Sequence, residues 1–212
     1  MFYNYFSAAS VHLRHVGWSP LIVPGQEVTE DDLEAVDQST DRRMPIELRR
    51  FYLELGDAFR FEPDHRPDAI VNGWSPMRLE DHAIHNIGFA EQIQEEAFRE
   101  TASMSPGADI TPLREEVERR KQWIPFYGFT GGGDLLCLDA LGRVRFYEAL
   151  HWKSTPETWS FLLADSFSGF VEKWSQYCFV TPGGSWTSFC IGRSGLFDWL
   201  PKHFLSVAVR PE

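Results

Sequence analysis

Residues 123–152 read WIPFYGFTGGGDLLCLDALGRVRFYEALHW. Three runs rich in aromatic and branched residues, 123–129, 135–141 and 143–152, are separated by Thr130-Gly131-Gly132-Gly133-Asp134 and by Gly142. Apolar runs of this length bounded by glycine turns read as strands. Connections this short join antiparallel neighbours, because parallel strands need a long crossover. The stretch is therefore expected to form an antiparallel meander. In its third run Val144, Phe146 and Ala149 depart from strict alternation, which implies a bulge or burial on both faces.

Upstream, the period changes to helical. Residues 79–102 read as one long helix, with Leu79, Ala83, Ile87, Ala90, Ile93 and Phe98 as its apolar face and Glu91, Glu95, Glu96 and Glu100 toward water. Residues 103–112 read as loop, and the charged LREEVERRK at 113–121 as a solvated helix end. Pro45 suits the first position of a shorter helix in which Ile46, Leu48, Phe51, Tyr52 and Leu55 recur at helical spacing and Gly56 stops the chain. Ala58, Phe59 and Phe61 suggest a short strand after it. Thr29 is the natural cap of an earlier helix, with Asp32 three residues on and acids in the first turn. Residues 1–25 read as a loop-rich lead-in.

Downstream, residues 158–163 suggest an edge strand. Phe167, Phe170, Val171, Trp174 and Tyr177 mark a further helix, capped by Asp165 or Ser166. Helices and strands in this order give an α+β domain, a mostly antiparallel sheet packed on one side by helices. Its expected organisation is a lead-in at 1–28, a domain at 29–178 with a helical insertion at 79–122, and a C-terminal extension at 179–212 packing on the domain.

Composition narrows the function. The chain has 212 residues, 20 Lys plus Arg against 31 Asp plus Glu, and a net charge of −11. It carries 31 aromatic residues (17 Phe, 8 Trp, 6 Tyr). That aromatic content excludes an acidic disordered tail. The charge repels phosphate backbones and anionic lipid, so neither nucleic acid nor membrane is an expected partner, whereas a basic protein is. No run approaches the ~18 apolar residues of a membrane helix. The three cysteines Cys137, Cys178 and Cys190 fit neither a disulfide framework nor a zinc site, which points to the cytoplasm.

No motif carries recognisable catalysis. Gly131-Gly132-Gly133-Asp134 lacks the Lys-Ser/Thr pair and following helix of a phosphate loop, and reads as a structural hairpin turn. His82 and His85 stand one helical turn apart, as do His12 and His15, but two imidazoles need a third ligand to hold a metal. An enzyme using His82, His85 and Asp134 would need that metal. Cys137 lies within an apolar strand and reads as a core residue. No metal or cofactor is expected. The densest charge is EVTEDDLE at 27–34, with five acids and no base. It is either a solvated helix face or a docking face for a basic partner.

Three blocks together resemble the SUKH superfamily, which includes fungal cell-wall-assembly regulators and many bacterial immunity proteins. MPIELRRFYLELG (44–56) is similar to that family's helix with the pattern L-P-x-D-L-R-x-F-Y and a closing Gly. Residues 123–152 are similar to its I-P-I-G and G-G-D-x-L-C-L-D strand pair, and ADSFSGFVEKW (164–174) to its closing helix. The stretch 79–122 departs from the family pattern as a long insertion, and the lead-in and tail are additional. The resemblance implies an α+β fold, no catalysis and a protein partner, often a toxin's catalytic domain. On it rests the expectation of an immunity protein that neutralises a basic toxin, with a regulatory scaffold of the cell-wall-regulator type as the alternative. Glu30, Asp31, Asp32 and Glu34 are the residues expected to steer the partner, with Trp74 or Trp152 as anchors.

Overall fold

The glycine-bounded runs form strands. The computed structural model describes residues 1–65, 74–128, 134–147, 160–176 and 178–179. Its elements are α1 (Phe2–His15), β1 (Leu21–Val23), α2 (Glu30–Thr40), α3 (Ile46–Leu55), β2 (Arg60–Glu62), α4 (Leu79–Ser103), α5 (Thr111–Arg120), β3 (Ile124–Gly128), β4 (Leu135–Leu138), β5 (Val144–Tyr147), β6 (Ser160–Ala164) and α6 (Phe167–Ser175). Strands β3-β4-β5-β6 make one antiparallel sheet in sequence order, and β1-β2 a separate antiparallel pair. The fold class is thus α+β, as the sequence implied.

Both readings of the irregular third strand are realised. The register shifts between Val144 and Arg145 where β5 meets β6, and again between Pro125 and Tyr127 where β3 meets β4. The sheet is also buried on both faces, which corrects the expectation of helices on one side only. On one face Phe126, Leu136, Leu138, Val144 and Phe146 join the main core with α1, α3 and α6. On the other, Trp123, Leu135, Cys137 and Tyr147 pack against Phe89 and Ile93 of α4 and Val117 of α5. Helices α4 and α5 therefore cover a face that would otherwise expose a row of large apolar side chains. Residues 111–120 are a full helix with Leu113, Val117 and Arg120 buried, rather than a solvated end.

Residues 1–25 are not mainly loop. Phe2, Phe6, Ala9 and Leu13 recur at helical spacing and bury one face of α1. Phe6 stacks on Phe179 with ring centroids 4.0 Å apart and meets Phe59 at 4.7 Å. Phe179 is the described part of the 179–212 extension, and the rest of that segment lies outside the described residues. The chain returns from β1 to α2 through Gly25, which lies against Gly56 at the end of α3. A Cβ on Gly25 would sit 2.4 Å from the Gly56 carbonyl carbon, and one on Gly56 2.4 Å from the Gln26 oxygen. Only glycine permits that approach at Gly56, whose φ is +86°.

Local signals set the helix ends. Thr29 and Asp32 form a reciprocal capping box at α2. Pro45 is the cap of α3, one position before its expected place. Ser166 caps α6 by accepting from the Gly169 N–H at 3.0 Å. No helix among the described residues is long and apolar enough to cross a membrane.

Candidate protein-binding surface

The acids of α2 divide by what holds them. The Arg49 guanidinium on α3 donates to Glu30 and to Asp37, each at 2.6 Å. Asp37 also accepts from the Met44 N–H at 2.7 Å, tying α2 to the start of α3. Asp32 is occupied by the capping box, and hydrogen bonds from the Thr29 hydroxyl and N–H hold its carboxyl below the usual range. Asp31 and Glu34 are exposed and form no ion pair among the described residues. One turn of α2 thus presents two unneutralised carboxylates, with exposed Glu27 just before it.

Of the two expected aromatic anchors, the described residues place only Trp74, and it does not join them. Trp74 is 0% exposed and lies among Phe6, Phe51, Trp174 and Phe179, so its side chain belongs to the core and offers nothing to a partner. Trp152 and the turn glycines Gly131, Gly132 and Gly133 lie outside the described residues. Asp134 is half-buried just before β4.

The outer face of α4 also differs from expectation. Ile87 and Phe98 point to solvent, 58% and 75% exposed, with Ile84 at 69%. The helix buries Ile93 as expected, and beside it His82, Asn86, Phe89 and Glu96. Polar residues can be buried here because partners on other elements meet them. The Tyr52 hydroxyl donates to the Met77 carbonyl at 2.5 Å and lies 2.8 Å from His82 Nε2. With the phenol proton on Met77, the imidazole is the neutral tautomer donating from Nε2. Burial, helped by nearby His85, pushes the His82 pKa down to about 4. His82 and His85 therefore face different surroundings, one buried and one exposed, and among the described residues no three His, Cys, Asp or Glu side chains converge as a metal site.

A second polar cluster sits under α4 and α5. Glu96 accepts from the Tyr147 hydroxyl and from Gln92 Nε2 at 2.9 Å. Buried Arg120 pairs with Glu116 at 2.5 Å and lies 5.6 Å from the Trp123 ring, which Arg145 also approaches at 5.4 Å. Arg145 and Arg143 in turn pair with Asp139 at 2.8 Å. Cys137 beneath them is fully buried and its thiol is pushed well up by desolvation, which leaves it protonated and inert.

The fold places these features in a recognisable order: a capped acidic helix, the aromatic α3, a meander and the closing α6. The SMI1 / KNR4 family (SUKH-1) model matches residues 27–173. The chain belongs to this family. A comparison with curated proteins gives no match. The SUKH-1 match starts beside the first acids of α2 and ends within α6, so it takes in the acidic helix, α3, α4, α5 and the whole four-stranded sheet. Helix α1 precedes it, yet supplies Phe2, Phe6 and Leu13 to the SUKH-1 core.

Proposed function

We propose that this SUKH-1 protein is a non-enzymatic, cytoplasmic binding module that neutralises a cognate bacterial toxin by covering its catalytic domain. The observation that supports this reading is the α2 turn, where Asp31 and Glu34 stand exposed, with no ion pair among the described residues, on an element locked in place by Arg49 and the capping box. Fixed, unneutralised carboxylates attract a basic surface at long range and lose little freedom on docking. The partner is accordingly a basic protein domain.

The test is to co-express the protein with the toxin domain encoded beside it and to measure rescue and association rate. Wild type is expected to rescue, and Asp31→Lys with Glu34→Lys to slow association by about tenfold at low salt, with the difference fading as salt screens it. Neither binding nor rescue would end the toxin reading. Stable host-protein partners in their place would favour the regulatory scaffold.

A further inference from the structure

The outward face of α4 has a repeat that no packing among the described residues uses. Ile84, Ile87, Glu91, Gln94 and Phe98 follow a 3-4-3-4 spacing and fall within about 80° of arc, opposite the face on the sheet. All five are exposed. The spacing is that of one side of a two-helix seam, apolar at both ends with a carboxylate in the middle, and no helix among the described residues packs on it. Neighbouring Glu95 is paired with Arg99 at 2.5 Å, whereas Glu91 has no ion pair among the described residues.

Gly88 is a second, independent sign. It lies beside this seam in the interior of a long helix, with nothing within 4 Å of where a Cβ would stand and no positive φ. Glycine there weakens the helix and serves no contact among the described residues. A close-approaching neighbour would use the space that its missing side chain leaves.

We infer that the Ile84–Ile87–Glu91–Phe98 face of α4 is a docking seam for a basic amphipathic helix of the protein partner, with a Lys or Arg opposite Glu91. This rests on the protein-binding reading above and adds the site and chemistry of contact. Charge decides the occupant. Glu91 sits at the middle of the seam, so a second copy would set Glu91 against Glu91 in either orientation, on a chain already at −11. A single charged residue in such a seam selects its partner and fixes the register.

The probe is a synthetic helix of about three heptads, with Leu at the seam positions and Lys at the central one, titrated against the full chain by fluorescence anisotropy. Saturable binding is expected, about tenfold tighter than that of the same peptide carrying Glu at the centre. Glu91→Lys is expected to reverse that order, and Gly88→Leu and Phe98→Ser each to weaken binding about tenfold while the circular-dichroism spectrum keeps the fold. No saturable binding, or equal binding by all variants, overturns the inference. So does a dimer in light scattering that Phe98→Ser dissolves, since a second copy would then fill the seam. Cognate-toxin binding that Asp31→Lys abolishes but Glu91→Lys leaves intact would retain the toxin reading and reject the α4 seam.

Discussion

The Tyr147 hydroxyl of β5 donates to the Glu96 carboxylate of α4, inside the contact that fastens α4 to the sheet. Burial raises the Glu96 pKa from 4.5 to about 7, against the opposing pull of Tyr147, Gln92, Arg120 and Arg99. The folded state therefore holds this proton more tightly than the unfolded chain does. The stabilisation is complete below pH 4.5 and is lost as pH rises to 7. Glu96→Gln removes the titration. Urea unfolding should show little change at pH 5 and a gain of up to about 3 kcal/mol at pH 8.

Asp139 works in the opposite direction. Burial alone would raise its pKa, but hydrogen bonds from Arg145, from the Arg143 and Leu141 N–H groups and from the Arg143 side chain outweigh burial and lower it below 3.8. Its contribution is present above pH 3.8 and is lost as pH falls through the folded value. Asp139→Asn turns an amide N–H toward the arginines and should cost about 3 kcal/mol at pH 7. The gap between variant and wild type should narrow in unfolding curves taken at pH 3.

Tyr52 holds the entry to α4. Tyr52→Phe leaves the Met77 carbonyl and the His82 Nε2–H buried without their partner. The expected loss is about 1–3 kcal/mol at unchanged denaturant m-value. Hydrogen exchange should rise first at the start of α4, the turn nearest the lost bond.

Two glycines should respond with opposite signs. Gly88→Ala meets open space and should stabilise the free protein by about 1 kcal/mol. Gly56→Ala forces a side chain into positive φ and onto the Gln26 backbone oxygen, and should cost at least about 2 kcal/mol. Thermal melts of the two variants settle both signs.

Much of the scaffold was legible in the chain because its signals are local. Thr29 and Asp32 predicted the capping box, the glycine turns predicted the meander, and the extent of the long helix followed from the helical spacing of its apolar residues. The loop reading of residues 1–25 leaves out α1 although Phe2, Phe6, Ala9 and Leu13 carry the period, because the same stretch holds the breakers Gly17, Pro20 and Pro24. The α4 face was misread for a different reason. Hydrophobicity placed Ile87 and Phe98 inward and Glu96 outward, but the side that faces the sheet was selected by partners distant in sequence: Tyr52 for His82, Tyr147 for Glu96, and Arg42 for Asn86.

The sequence by itself determined the family, the α+β class, the antiparallel order of the strands and an acidic first turn on α2. These rest on short-range spacing, capping and charge, which need no knowledge of neighbours. Only the tertiary structure decided that the sheet is covered on both faces, that Trp74 is core, and that α4 turns Ile84, Glu91 and Phe98 to solvent. Burial of a side chain depends on the sum of contacts across elements, and a buried carboxyl with a phenol donor can outbid an isoleucine for the inside of a helix.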